Sequence, residues 1–163
     1  MEAEIFVVRH AQTSEMDVPN ASRPLSETGQ YQAQALANYL LCLGIQVVYT
    51  SPFKRVLQTV EPFCITTGIR PVINEALRES ERDEEFPQVR QRMIVAVKEI
   101  AEIHPGKRIV LCTHGGTLWG LISYFDNSFG YEDYQKIGSP DVKRFVFGEG
   151  RGHFDDGFSY PLP

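Results

Sequence analysis

The chain has 163 residues, of which 42% are apolar and 23% charged, and its formal net charge is −5 at pH 7. This length and composition are typical of one globular domain, which we expect to span residues 1–163. The acidic balance and the lack of a long basic run argue against nucleic acid or an anionic membrane as a partner. No leader-like segment and no membrane-length apolar run occur, so we expect a cytoplasmic protein.

Strand and helix patterns alternate along the chain. The apolar run at 4–8 predicts a buried strand, a polar loop fills 11–25, and apolar residues at helical spacing predict a helix over 28–43. Further strands are predicted at 45–50, 71–73, 108–113 and 143–147, with helices that open at Ser51-Pro52, Pro87 and about residue 116. The tail, 148–163, receives no assignment. This order predicts a single-domain α/β fold with a mostly parallel central sheet and helices on both faces.

Polar side chains follow three of the predicted strands, at the point where each strand ends. Arg9 and His10 follow the first strand, Ser51 to Arg55 follow the second, and His114 follows the fourth. Ligands of open α/β sheets bind at the carboxyl ends of the strands. If these ends are neighbours, two imidazoles and two guanidiniums face one crevice. Arg matches phosphate oxygens bidentately, and helix N-termini at about residues 52 and 116 add backbone N–H groups, so the pattern predicts a phosphate site.

Five segments resemble the histidine phosphatase superfamily, also called phosphoglycerate-mutase-like. They are RHAQT (9–13), RPLSETGQYQAQALANYL (23–40), SPFKRVLQTVEPF (51–63), LRE (77–79) and THGGTL (113–118). R-H-x-x-T alone is a weak signal, but its combination with S-P-x-x-R-x-x-Q-T and T-H-G-G in the family's order is specific. The resemblance implies a phosphoglycerate-mutase-like three-layer sandwich and a metal-independent phosphatase that needs no cofactor.

The resemblance also implies a role for each matching residue. His10 is the nucleophile that becomes a transient phosphohistidine. Arg9 and Arg55 bind the phosphoryl oxygens while charge spreads over them. His114 is a second imidazole that donates a hydrogen bond to the phosphoryl group, and Glu79 protonates the leaving oxygen.

Other residues keep two interpretations each. Thr13 matches a phosphate-binding position of the family, but Thr13 and Ser51 also suit simple caps. Arg23 is a possible substrate contact or a surface ion-pair residue. Trp119, like the other aromatic residues, is expected in the core rather than on a ligand surface.

The role of His10 as the nucleophile also has physical requirements, which do not depend on the resemblance. A nucleophilic imidazole must be neutral, and two nearby guanidiniums disfavour its cation, so we expect the pKa of His10 to be lowered. Its Nδ1 needs an acceptor, for which a backbone carbonyl is suited, in order to direct Nε2 at the substrate.

The sequence departs from the family's pattern in three places. Ala11 stands where the family has Gly, Met16 stands where many members have Asn, and the G-x-x-E-G that often follows the acid is absent. These changes put fine substrate recognition in question and leave Glu81 and Asp83 as rivals of Glu79. No cap-sized insertion follows Glu79, so the chain is most similar to the short phosphatases of the family, such as bacterial phosphohistidine phosphatases. An open site suits a phosphorylated small molecule or a phosphoprotein.

Two other functions remain open. A phosphate-binding or regulatory protein of the same fold, with little turnover, would fit the same pocket and the departures from the family pattern. A metal-hydrolase site on His10 and His114 is a weaker alternative, because no carboxylate motif accompanies the two imidazoles. Turnover that is insensitive to a chelator favours the phosphatase over both.

Overall fold

The protein is described by a computed structural model over residues 1–161. Its helices and strands are β1 (Ala3–Arg9), α1 (Glu27–Leu41), β2 (Val47–Thr50), α2 (Lys54–Thr67), β3 (Val72–Ile73), α3 (Phe86–Ile103), β4 (Arg108–Thr113), α4 (Gly115–Phe125), α5 (Tyr131–Gln135), β5 (Asp141–Gly148) and β6 (Arg151–Asp155). Short 3-10 helices lie at Asn20–Ser22 and Glu75–Leu77. No helix of the described chain combines the length and apolar character needed to cross a bilayer.

The six strands form one sheet in the order β3-β2-β4-β1-β5-β6. The first four strands of that order are parallel, whereas β5 and β6 run antiparallel. The predicted α/β fold with a mostly parallel sheet is therefore confirmed. β1 lies between β4 and β5, which explains why its sequence is a continuous apolar run rather than an alternating one.

Helices cover both faces of the sheet, as predicted. Phe6 and Val8 of β1 point to one face and pack with residues of α1 and α2, whereas Ile5 and Val7 point to the other and pack with residues of α3 and α4. Alternation along a strand sends successive side chains to opposite faces. The two apolar layers fix the strand ends relative to one another.

The tail that the sequence left unassigned has a structure. Residues 151–155 form β6, which pairs with β5 through a tight turn at Glu149 and Gly150, with φ of 51° and 73°. Beyond it, the Tyr160 ring packs on Tyr39 at 4.9 Å between centroids. The tail therefore covers the α1–α2 face of the sheet. Residues 162 and 163 lie outside the described part of the chain.

Two local predictions were wrong. The second helix begins at Lys54 rather than at Ser51-Pro52, because the Ser51 hydroxyl serves the site described below instead of capping the helix. In α1, the helical spacing of the apolar residues also predicts Ala35 as a core position, but Ala35 is exposed, and Ala33 and Ala37 are buried instead. The short helix α5 was missed, because its sequence YEDYQ carries no apolar periodicity.

Candidate active site

The carboxyl ends of β2, β4 and β1 are adjacent in the sheet, and they bring their polar side chains into one crevice. The rings of His10 and His114 lie 5.3 Å apart, edge to face. Arg55 lies between them, with its Nε 3.3 Å from His10 Nε2 and its Nη2 3.3 Å from His114 Nδ1. All three side chains are at least nine-tenths buried. A guanidinium between two imidazoles in a buried crevice is suited to bind an anion.

His10 is held as a neutral imidazole that directs Nε2 into the crevice. Its Nδ1 donates to the carbonyl of Ala11 at 2.8 Å, which is the backbone acceptor expected from the sequence. Burial lowers the pKa of His10 to about 4; the Ala11 carbonyl opposes this, and the charges of Arg55 and Arg9 add to it. The sequence argument named only the guanidiniums, but desolvation of the imidazolium is the larger cause. At neutral pH Nε2 thus carries a lone pair, which accepts a hydrogen bond from Arg55 Nε at 3.3 Å.

Ser51 fixes the orientation of His114. Its Oγ accepts a hydrogen bond from the backbone N–H of Phe53 at 3.3 Å and lies 2.9 Å from His114 Nε2. Either atom of the Ser51–His114 pair can be the donor, and the choice decides which ring nitrogen of His114 carries the hydrogen. Burial lowers the pKa of His114 well below its usual range, and His10 and Arg55 lower it further, so the ring is neutral. Its Nδ1 faces the crevice, 3.3 Å from the donor Arg55 Nη2 and 3.4 Å from the acceptor Glu79 Oε2.

Arg9, at the carboxyl end of β1, is anchored by a backbone carbonyl and packs against a glycine. Its Nη1 donates to the carbonyl of Ile137 at 2.8 Å. Its guanidinium lies against Gly115, where any Cβ would come within 2.9 Å of Arg9 Cζ, so the first glycine of T-H-G-G is required by this contact. Within residues 1–161, the buried Nε atoms of Arg9 and Arg23 have no acceptor. Buried donors are normally paired, so both N–H groups are suited to an anionic ligand.

Arg55 is held by a residue that sequence reasoning missed. Its Nη1 donates to both the backbone carbonyl of Asn20, at 2.8 Å, and the Asn20 Oδ1, at 3.1 Å. Burial lowers the pKa of Arg55, the Glu79 carboxylate opposes this, and the nearby charge of Arg23 lowers it further. Asn20 lies in a polar loop that shows no motif, so nothing in the sequence marked it.

Glu79 lies at the edge of the crevice. Its Oε2 is 3.4 Å from His114 Nδ1 and 3.6 Å from Arg55 Nη2. Its position is fixed from below, because Thr113 Oγ1 donates to the backbone carbonyl of Leu77 at 2.6 Å and ties this segment to the end of β4. The rival Glu81 instead pairs with an arginine outside the crevice. The structure thus brings Glu79, rather than Glu81, to the two imidazoles.

The remaining motif residues hold the loops of the site. Thr59 Oγ1 accepts from the N–H of Ala11 at 3.0 Å, and Gln58 Oε1 accepts from the N–H of Leu25 at 2.8 Å. Ala11 is fully buried and packs with Leu25 and Ala33, so its methyl group faces the core and does not crowd the crevice. The departure from the family's glycine is therefore accommodated by packing.

Three other residues discussed from the sequence form no hydrogen bond or ion pair with the imidazoles or with Arg55 in the described chain. Thr13 forms a backbone bridge with Leu25, and within the described chain its hydroxyl is not linked to the imidazoles or to Arg55. Arg23 has no carboxylate partner among residues 1–161, so the surface ion pair considered for it is absent there. Met16 is 55% exposed and takes no part in the crevice.

Comparison with known proteins identifies the family. The model described as "Histidine phosphatase superfamily (branch 1)" matches residues 5–83 and 80–154. The chain belongs to the histidine phosphatase superfamily. This confirms the family that the sequence motifs indicated and, with it, an enzyme of the phosphatase class.

Curated relatives and solved structures agree with this membership. Phosphoglycerate mutase-like protein 4 of Arabidopsis thaliana is 28% identical over 73% of this chain and 69% of its own length. A probable phosphoglycerate mutase of Cronobacter sakazakii is 27% identical over 74% and 73%. A phosphoserine phosphatase mutant of Entamoeba histolytica superposes with a TM-score of 0.78 at 14% identity, covering 93% of this chain and 94% of its own. Bacillus stearothermophilus YhfR gives 0.78 at 23% identity, with 93% and 95% covered. These structures show the shared fold.

Proposed function

We propose that the protein is a metal-independent phosphatase that hydrolyses phosphomonoesters or phosphohistidine through a phosphohistidine intermediate on His10. The observation that carries this proposal is the state of His10: a neutral imidazole, held at Nδ1 by the Ala11 carbonyl, with Nε2 facing Arg55 at 3.3 Å. An imidazole so prepared is a nucleophile.

The reaction follows from the positions of the side chains. The substrate phosphoryl group lies between Arg9 and Arg55, which balance the charge on its oxygens. His10 Nε2 forms a bond to phosphorus while the bond to the leaving oxygen breaks, and Glu79 gives that oxygen a proton. His114 donates to a phosphoryl oxygen through Nδ1. Water, deprotonated by the Glu79 carboxylate, then attacks phosphorus, and inorganic phosphate and free His10 are restored.

The short connection after Glu79 supports one detail of the proposal. Only residues 80–85 separate Glu79 from α3, so we infer an uncapped crevice that admits phosphorylated small molecules and phosphate groups on protein surfaces. In this mechanism the guanidiniums stabilise the charge that a metal ion balances in other phosphoryl-transfer sites.

Hydrolysis of p-nitrophenyl phosphate in EDTA, with vanadate as inhibitor, tests the proposal. We expect vanadate-sensitive turnover in the wild type and a loss of about 10³-fold or more in kcat for His10→Ala, as for other removed nucleophiles. His153→Ala is the matched control, since His153 is exposed on β6, which β5 separates from β1. Undiminished turnover in His10→Ala would refute the mechanism.

A protein that binds phosphate without turnover gives a different result. Calorimetric titration with inorganic phosphate would then show binding that Arg55→Met removes, while neither p-nitrophenyl phosphate nor a phosphohistidine peptide is hydrolysed. Ala11 and Met16, the departures that raised this alternative, do not disturb the crevice in the structure. The geometry therefore favours the phosphatase.

A further inference from the structure

A cavity of about 280 Å³ lies next to Glu79, and both Ser80 and Gly116 line it. The backbone N–H of Ser80 donates to Glu79 Oε1 at 3.2 Å. A Cβ added at Gly116 would lie 3.6 Å from the same Oε1. Two lining residues of the cavity therefore adjoin the carboxylate of the proposed proton donor.

Aromatic side chains form the walls of this cavity. Phe86 and Tyr134 both line it, together with Trp119. The Trp119 ring stacks on Tyr134 at 4.8 Å with an interplanar angle of 20°, and its centroid lies 4.7 Å from that of Phe86. Trp119 Nε1 donates to the carbonyl of Phe129, which fixes the indole and satisfies its one polar group. Trp119 was expected in the core, but it is only half-buried and forms part of a cavity wall.

No cation of the cavity is free to pair with an acidic ligand. The one charged lining residue is Glu84, and its carboxylate is held by Arg92 at 2.6 Å. The same Arg92 donates to two backbone carbonyls, and Arg78 is engaged by Glu81. A carboxylate in the leaving group, such as that of phosphoserine or phosphoglycerate, would therefore be buried beside Glu84 without a positive partner, which is costly.

From these observations we propose that the cavity binds the leaving group of the substrate, and that this group is an uncharged aromatic ring. This inference rests on the proposed phosphatase activity and adds the substrate class. In-line attack by His10 places the leaving oxygen on the far side of phosphorus, next to Glu79. The rest of the leaving group continues into the cavity, where its ring packs on Trp119 and Tyr134 in the offset or edge-on geometry that aromatic pairs adopt.

Two alkyl phosphates isolate the effect of the ring. Benzyl phosphate and ethyl phosphate both release simple alcohols, so a difference between them reports binding of the ring rather than the ease of bond cleavage. We expect kcat/KM in the wild type to be about tenfold higher for benzyl phosphate, the size of effect that burial of one aromatic ring gives. The ratio of the two values should fall toward one in Tyr134→Ala and in Phe86→Ala; Phe86 is 38% exposed, so its removal does not open the core.

Tyr124→Ala is the matched control, because Tyr124 is an exposed aromatic residue of α4, the helix that carries Trp119, and does not line the cavity. It should leave the ratio unchanged. Equal kcat/KM for benzyl and ethyl phosphate in the wild type would overturn the proposal, as would a preference for phosphoserine over benzyl phosphate. Neither result would affect the proposed chemistry, which fails only if His10→Ala retains turnover.

A fluorescence measurement of ligand binding tests whether the aromatic ring enters the cavity, even in a variant that does not turn over. Trp119 is the single tryptophan of the chain, so intrinsic fluorescence reports directly on the cavity wall. In the His10→Ala variant, benzyl phosphate should change this fluorescence and bind about tenfold more tightly than ethyl phosphate. Inorganic phosphate should bind without the same change in emission. An identical response to all three ligands would place the ring outside the cavity and refute the inference.

Discussion

The two ends of the crevice are built by different means. At the phosphate end, His10, His114 and Arg55 are at least nine-tenths buried, and directional hydrogen bonds from loop carbonyls and hydroxyls hold them. At the leaving-group end, Phe86 and Trp119 are partly exposed and meet through ring contacts. Directional polar contacts fix the positions of reacting atoms, whereas apolar contacts accept a range of shapes. In the proposed reaction, bond making and breaking therefore take place at the first end, and the second end selects the substrate.

Glu79 lies between the two ends, and we expect its substitution to have the largest effect of the variants that test how the two ends differ. In Glu79→Gln the leaving oxygen receives no proton, so we expect kcat/KM for ethyl phosphate to fall about 100-fold, within the range for loss of a general acid. p-Nitrophenolate leaves without protonation, so kcat/KM for p-nitrophenyl phosphate should fall much less. We compare kcat/KM, wild type beside variant, because it does not include the later hydrolysis of phosphohistidine, in which Glu79 serves both substrates as the base.

The rival acid supplies the control. Glu81→Gln makes the same chemical change on an exposed side chain that pairs with Arg78, and both rates should stay at their wild-type values. An equal loss for the two substrates in Glu79→Gln would assign Glu79 to phosphate binding instead of proton donation. A selective loss in Glu81→Gln would move the role of the acid to that residue.

A smaller effect is expected from Ser51, which contacts no substrate in the proposed mechanism. Ser51→Ala removes the hydroxyl that lies 2.9 Å from His114 Nε2. In the proposed mechanism this hydroxyl donates to Nε2 and keeps the ring hydrogen on Nδ1, so in the variant the ring is free to place its hydrogen on either nitrogen. We expect kcat to fall about tenfold with KM little changed, the size of loss that outer hydrogen-bond partners of site residues show. The ¹⁵N shifts of His114 should move from the Nδ1–H form toward a mixture.

Two variants separate this positioning role from general damage. Ser51→Thr retains a hydroxyl and should restore most of the activity and the Nδ1–H form. Ser123→Ala removes a buried hydroxyl of α4 that bonds only to the Gly120 carbonyl, and it should leave kcat unchanged. If the ¹⁵N shifts of His114 in Ser51→Ala match those of the wild type, Ser51 does not set the tautomer.

The same contrast between the two ends decides what the sequence could predict. Strand ends are visible in a sequence, because an apolar run gives way to charged residues, so Arg9, His10 and His114 could be located and their convergence foreseen. Asn20 could not, because a loop residue acquires its partner only when the chain folds back onto α2. Ser51 suited a helix cap by local pattern, and only the contact with β4 assigned its hydroxyl to His114.

Aromatic residues were the least predictable part of the site. Phe86, Trp119 and Tyr134 lie on three different helices, and each alone is compatible with an ordinary core position. Hydrophobic periodicity reports that a residue is buried on one side, but not whether a cavity opens on the other. The leaving-group end therefore required the relative placement of α3, α4 and α5, which no local pattern encodes.

The smallest effect that we expect is a loss of stability in acid, because the folded protein keeps the buried His10 imidazole neutral. Burial lowers the pKa of His10 to about 4, against an ordinary value of 6.5. As pH falls below 6.5, the His10 imidazole of the unfolded chain becomes protonated, whereas that of the folded protein stays neutral until pH approaches 4. The free energy of unfolding therefore decreases as pH falls from 6.5 to 4. Between pH 7 and pH 5 the decrease in the free energy of unfolding due to His10 is about 2 kcal/mol.

Carboxylates titrate over the same range, but they contribute equally to a variant that lacks only the imidazole. Denaturant unfolding at both pH values should therefore show a smaller decrease for His10→Gln than for the wild type, while the exposed-site variant His153→Gln follows the wild type. An equal decrease in wild type and His10→Gln would mean that His10 titrates normally in the folded protein, and the nucleophile would then lack the neutral state on which the phosphate end depends.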